Sequence, residues 1–162
     1  MRDAADDFLD QWAAQRDDLD LDAMGTIGRI LRLSRFVNAR LKEYFAEHDL
    51  ETWEFDVIAT LRRSARPLTP KELAESVMIG SAALTNRIDR LVARGLVSRE
   101  AVPGNRRSLH VTLTAEGRDL VDATIEGHVR NQRGMLGGLD ADDAERFNRT
   151  LRTLLISLGD SR

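Results

Sequence analysis

Apolar residues recur at spacings of three and four over most of this chain and switch to strict alternation over one stretch past its middle. Residues 3–16 place Ala5, Phe8, Leu9 and Trp12 on one stripe of a short acidic helix, and RDDLDLD (16–22) reads as a turn. From Ala23 to about His48, the positions Met24, Ile27, Ile30, Leu31, Val37, Leu41, Tyr44 and Phe45 predict a long amphipathic helix. Gly25 and Gly28 weaken its start but permit close approach of another element. A third helix is expected over Thr52–Ser64, with Trp53, Val57, Ile58 and Leu61 inward.

The centre carries sharper signals. In LTPKE, Thr69 stands as N-cap, Pro70 at the first helical position and Glu72 at the third, which is a capping box with the favoured proline. The short helix KELAESVM ends at Ile79-Gly80-Ser81, and SAALTNRIDRLVARG opens a second helix. Ser81 is the expected cap, Leu84, Ile88 and Leu91 the inner face, and Gly95 the stop. Two helices joined by a short glycine-containing turn form a helix-turn-helix. LVSREAV and SLHVTLT then alternate on either side of Pro103-Gly104-Asn105, which predicts a β-hairpin. Thr114 caps a further helix over about 115–134, Gly137-Gly138 breaks it, and Asp140 caps a last one over 141–158. A helix-turn-helix followed by a hairpin is a winged helix. The amphipathic helices at both ends exceed what so small a centre can cover, and ends of this kind pack on each other across a homodimer.

Length and composition narrow the classes. The 162 residues are 42% hydrophobic and 31% charged, as in an ordinary globular domain. No apolar run approaches the ~18 residues of a membrane span, and the acidic N-terminus lacks the apolar core of a signal peptide, so a cytoplasmic protein without a membrane partner is expected. With no cysteine there are no disulfides, thiolate metal sites or thiol-based redox sensing. The net charge of −3 hides an asymmetry. Residues 62–107 carry ten basic and four acidic side chains, a net +6, while the remainder carries −9, of which residues 1–22 hold −6. A basic centre between acidic ends suits an anionic partner, although an Arg-rich surface alone produces the same numbers.

In LTPKELAESVMIGSAALTNRIDRLVARGLVSRE, in NRRS at the hairpin tip and in VTLTAEGRDLV after it, the sequence resembles the MarR family of bacterial transcriptional regulators, over about residues 24–158. The resemblance implies a dimer with two winged helices that binds palindromic double-stranded DNA and releases it when a small ligand binds. One departure is Asn105, where many relatives carry an acidic residue before the paired wing arginines; Asn can still bond its own turn, but the wing is then held less firmly.

The DNA-reading chemistry also follows from the residues themselves. A recognition helix presents short polar side chains from its N-terminal half to the major groove. Ser81, Thr85 and Asn86 can reach bases or phosphates, Ala82 or Ala83 can meet a thymine methyl, and Arg90, one turn on, suits a phosphate. Arg106 and Arg107 at the hairpin tip suit a narrow minor groove, where the negative potential is concentrated. A solvated helix face and a charged turn would carry the same residue types.

A helix bearing a Trp before the dimerisation helix resembles the urate-responsive branch of the family. That likeness implies an effector site built from Trp12, Asp56, Arg63, Arg87 and Arg99. An indole stacks on a flat purine anion, a carboxylate accepts from ring N–H groups, and guanidinium groups bond ring oxygens in pairs. Xanthine, other purines, or an aromatic or polycarboxylate anion would use the same set. Each residue also has a plain structural role: Trp12 as a packing anchor beside Phe8 and Leu9, Asp56 as a favourable charge near a helix N-terminus, the arginines as part of the basic face, and Arg87 as a partner for Asp56.

The expected fold is mainly α with a small β-hairpin wing, a winged helix-turn-helix inside a helical dimerisation scaffold. N-terminal helices occupy 1–50, the DNA-binding region 51–113 and C-terminal helices 114–162. The reading is a ligand-responsive regulator, in the first instance a repressor, with no cofactor and no metal. A module binding protein through the same winged helix is the competing class. No GxSxG, GxxxxGK or HExxH occurs, so an enzyme is not expected. His48, His110 and His128 are scattered, with His110 in the hairpin and the other two expected among surface-like neighbours.

Overall fold

The structure, a computed structural model, describes residues 2–77, 80–102 and 105–160, with the side chains of 81, 82, 102 and 105–108 outside the description. It divides into two compact units, Met1–Glu43 and Tyr44–Arg162.

In the first unit α1 (Ala4–Gln15) precedes α2 (Asp22–Ala46), which continues into the second. Asp3 caps α1 by accepting from the backbone N–H groups of Ala5 and Asp6, at 2.8 and 3.2 Å. The same carboxylate takes the guanidinium of Arg29 at 2.8 Å, and Arg29 also reaches Asp6 at 2.6 Å. Gly25 and Gly28 are where α1 seats: a Cβ at Gly28 would lie 2.6 Å from the Phe8 ring, and one at Gly25 would lie 3.0 Å from Leu9. Phe8 and Leu9 therefore anchor α1, while Trp12 is left half-exposed.

The second unit contains α3 (Thr52–Ser64), α4 (Pro70–Val77), α5 (Ser81–Ala93), β1 (Val97–Val102), β2 (Asn105–Leu113), α6 (Ala115–Met135) and α7 (Ala141–Ser157). The Thr69 capping box forms as the sequence predicts: Glu72 donates its N–H to Thr69 Oγ1, and Thr69 donates its own to the Glu72 carboxylate at 2.7 Å. Arg66 bonds the same carboxylate at 2.8 Å. That guanidinium and the Thr69 donors hold Glu72 down to a pKa of about 2. One local expectation is corrected. The cap of α5 is Gly80, in extended backbone and without a side-chain cap bond, and Ser81 is the first helical residue.

β1 and β2 pair antiparallel, from Val97 opposite Leu113 out to Ala101 opposite Leu109. Leu68, just before α4, exchanges two backbone hydrogen bonds with Val111, which ties the hairpin's base to the entry of the helix-turn-helix. Val57, Ile58, Leu61, Leu73, Leu84, Ile88, Leu91, Val111 and Val121 fill the core between α3, α4, α5, the hairpin and α6. A side chain at Gly117 would overlap the Leu96 carbonyl oxygen, so only glycine lets the first turn of α6 lie against the turn between α5 and β1. α7 has no buried residue. Among the described residues no helix is long and apolar enough to cross a membrane.

Candidate nucleic-acid interface and ligand cleft

α5 buries Leu84, Ile88 and Leu91 and turns Ala83, Thr85 and Asn86 outward, as a recognition helix requires. The side chains of Ser81, Ala82, Arg106 and Arg107 lie outside the described residues, as does that of Asn105.

The arginines of α5 are held from below. Arg90 lies over the Trp53 indole at 4.8 Å from the ring centre, and Arg87 lies over the same indole at 5.3 Å. Two cation–π contacts thus fasten the middle of the recognition helix to the first turn of α3. At the C-terminal end, Arg94 donates to Glu54 Oε2 at 2.7 Å and to Asp49 Oδ2 at 2.9 Å. Glu54 is buried, so its charge is compensated by this one guanidinium. Arg99 of the first wing strand pairs with Asp89 of α5 at 2.6 Å, joining wing and recognition helix. Trp53, expected simply as a core residue, is instead the platform for two of the basic side chains. Its spacing of three from Asp56 and its place on α3 were visible in the sequence; what it supports was not.

α3, the end of α4 and α6 line an open cleft of about 690 Å³. Phe55, Ala59, Val77, Val121, Ile125 and Val129 supply apolar walls, and Asp56, Thr60, Arg62, Arg63, Asp122 and His128 supply polar groups. Arg62 is committed to Asp122 through two bonds of 2.8 and 3.1 Å. Arg63 donates to Thr60 Oγ1 at 3.2 Å. Asp56 has no ion-pair partner within 4.0 Å among the described residues, and partial loss of water raises its pKa against the opposing pull of His128, Arg87 and Arg63.

His128 is not at the surface. It is 9% exposed and packs against Phe45 and Phe55 with ring centres 5.0 Å apart, and against Tyr44 at 6.2 Å. Burial lowers its pKa, opposed by Asp56. The sequence signal was the stripe Val121, Thr124, His128, whose spacings of three and four place His128 inward. Of the five suggested effector residues, Asp56 and Arg63 line this cleft. Arg87 and Arg99 are engaged at Trp53 and Asp89, and Trp12 belongs to the first unit.

A recognition helix fixed to a hairpin wing, with polar residues outward and arginines along its length, defines a winged-helix DNA-binding protein. The sequence profile of the MarR family matches residues 48–108. The chain is 36% identical over 139 residues to the HTH-type transcriptional regulator PecS of Dickeya dadantii, covering 85% of this chain and 84% of PecS. Its fold is similar to that of a mutant MarR from E. coli complexed with operator DNA, with a TM-score of 0.75 and 26% identity over 83% of this chain and 97% of the other. It is also similar to Bordetella bronchiseptica BpsR, whose DNA binding is regulated by 6-hydroxynicotinic acid, with a TM-score of 0.72 and 25% identity over 79% and 91% of the two chains. The chain belongs to the MarR family; it is a transcriptional regulator that binds DNA and not an enzyme.

Proposed function

We propose that this regulator binds palindromic DNA as a homodimer, through Ser81, Ala82, Ala83, Thr85, Asn86 and Arg90 of the recognition helix and Arg106 and Arg107 of the wing, and is released by a small anionic effector of the purine class, urate in the first instance. The observation that carries the ligand reading is the placement of both functions on α3. Asp56 and Arg63 line a cleft of about 690 Å³, while Trp53 on the same helix bears Arg87 and Arg90 of the recognition helix. A ligand that draws on Asp56, Arg63 or Arg87 changes the setting of α3 against α5, and so discriminates between a DNA-bound and a released state. Trp12, which the likeness to the urate-responsive branch adds to the set, would stack on a flat ring. The dimer reading rests on α7, where Leu154, Leu155 and Ile156 are exposed and no residue is buried, and on Leu158 just after it, which is exposed too. A helix apolar on one side and uncovered within its own chain calls for a partner.

An aromatic carboxylate is the second reading. Arg63 supplies the cation it needs, and BpsR is a relative regulated by such an acid. Titrating urate and 6-hydroxynicotinate into preformed complexes with the chain's own upstream DNA, at two salt concentrations, tests both. Release by urate in the micromolar to millimolar range is expected; release by neither compound leaves the regulator without this effector class.

A further inference from the structure

Resting on the proposed ligand-responsive reading, we infer that His128 and Asp56 form a donor–acceptor pair in the cleft that recognises the cyclic lactam edge, –NH–C(=O)–, of an oxopurine or a related oxo-heterocycle. Nothing in the sequence pattern had drawn His128 into the site.

The two ring nitrogens of His128 sit in different surroundings. Nδ1 is sealed from solvent and, among the described residues, has no hydrogen-bond partner. Its surroundings are aromatic: Phe45 and Phe55 lie with ring centres 5.0 Å from the imidazole. The nearby Tyr44 hydroxyl is already spent, donating to the Thr124 carbonyl at 2.6 Å. A proton on Nδ1 would be a buried donor with no acceptor, a costly arrangement. A bare Nδ1 places a lone pair, rather than an unsatisfied N–H, among these aromatic rings. The neutral imidazole therefore holds its proton on Nε2, the nitrogen that is not sealed, in a side chain that lines the cleft.

Asp56 lines the same cleft and, among the described residues, has no ion-pair partner within 4.0 Å. An ionised carboxylate only accepts, and the Nε2–H of neutral imidazole only donates. Between apolar walls formed by Phe55, Ala59 and Val121, this pair matches a planar ring that presents an N–H beside a carbonyl: the N–H to Asp56, the carbonyl oxygen to His128. It opposes a simple aromatic acid, whose carboxylate would face Asp56. Arg62 does not reverse this preference, because Asp122 already occupies it with two bonds. The lactam of a hydroxypyridine acid meets the pair equally well, with its carboxylate left to Arg63.

The test uses the full-length chain with ¹⁵N-labelled histidine. Xanthine serves as the oxopurine probe and benzoate as the acid lacking a lactam. Imidazole nitrogen spectra at neutral pH should show His128 as the Nε2–H tautomer, and saturating xanthine should shift the Nε2 resonance. Calorimetry should find xanthine binding at least tenfold tighter than benzoate. His128→Phe should weaken xanthine roughly tenfold, as loss of one hydrogen bond does, whereas His128→Gln, which keeps a donor, should recover most of that loss. Thermal melts of both variants verify that they fold, and the wild-type spectra stand even if one does not. An Nδ1–H tautomer, benzoate binding as tightly as xanthine, or xanthine binding that leaves His128 Nε2 unshifted overturns the pair while leaving the ligand reading in place. Failure of wild type to bind xanthine, urate or 6-hydroxynicotinate overturns both.

Discussion

Arg90 of the recognition helix lies 4.8 Å from the centre of the Trp53 indole, so a side chain suited to a DNA phosphate rests on the helix that also carries Asp56. DNA that takes Arg90 must draw it from an aromatic face worth roughly 0.5–1 kcal/mol at an exposed site. Trp53 is one of two tryptophans, the other being Trp12. In a Trp12→Phe background its fluorescence should therefore change on operator binding. An emission spectrum that is identical with and without DNA would mean that Arg90 stays on the ring.

Breaking the link between Arg94 and Glu54 should destabilise the protein without touching the outer face of α5. Arg94→Met leaves Glu54 buried with its cation gone, at a cost of about 2–3 kcal/mol. The double variant Arg94→Met with Glu54→Leu should recover part of this, because the charge itself is then removed. Urea denaturation of the two variants measures the difference; an equal loss in both would point to packing of the Arg94 stem instead.

Asp56 should cost stability at neutral pH and contribute binding. Its pKa in the folded protein is raised above 3.8, chiefly by desolvation. The folded state thus binds that proton more tightly than the unfolded chain does. The resulting penalty is absent below the unfolded value and fully present above the folded one. Asp56→Asn should raise the melting temperature at pH 7, with the gain shrinking as the pH falls through the folded pKa toward 3.8. Urate-driven release from DNA should be lost in the same variant. A melting temperature unchanged at pH 7 would place the carboxylate in ordinary solvent.

Arg106→Ala combined with Arg107→Ala should weaken DNA binding across sequences and flatten the salt slope by about one to two units per protomer, each phosphate contact contributing roughly −0.9. Asn86→Ala should instead alter sequence preference, at about 1–3 kcal/mol for a base it reads. Gel shifts at two salt concentrations with wild-type and scrambled sites separate the two effects.

Leu155→Asp, placed on the uncovered side of α7, should convert the protein to monomer or prevent its folding. Sedimentation of the wild type at micromolar concentration should give about twice the chain mass of 18.2 kDa. A soluble wild-type monomer would remove the dimer from the reading.

The local signals are those that the sequence spelled out. The Thr69-Pro70-Lys71-Glu72 capping box, the caps at Thr114 and Asp140, the alternation on either side of the hairpin turn and the three-four spacing of Leu84, Ile88 and Leu91 depend on residues within a few positions of one another, and each forms as expected. Gly25 and Gly28 announced a close approach that Phe8 and Leu9 fill. Two local expectations shift by a single residue at an element end: Gly80 rather than Ser81 caps α5, and Asn105, expected in the hairpin turn, already belongs to β2.

What the sequence left undecided is long-range. Trp53 and Arg90 are far apart in the chain, as are Glu54 and Arg94, and Asp56 and His128; no periodicity says which polar groups will meet once the helices pack. The spacing of Val121, Thr124 and His128 marks an inner face, but only the folded chain closes Phe45, Phe55 and Tyr44 around the imidazole. Gly117 reads as an ordinary helical glycine until the Leu96 carbonyl is brought against it. Secondary structure follows from backbone sterics and local hydrogen bonding, which neighbouring residues determine. Burial, desolvation and charge pairing depend on distances that exist only after the chain has folded.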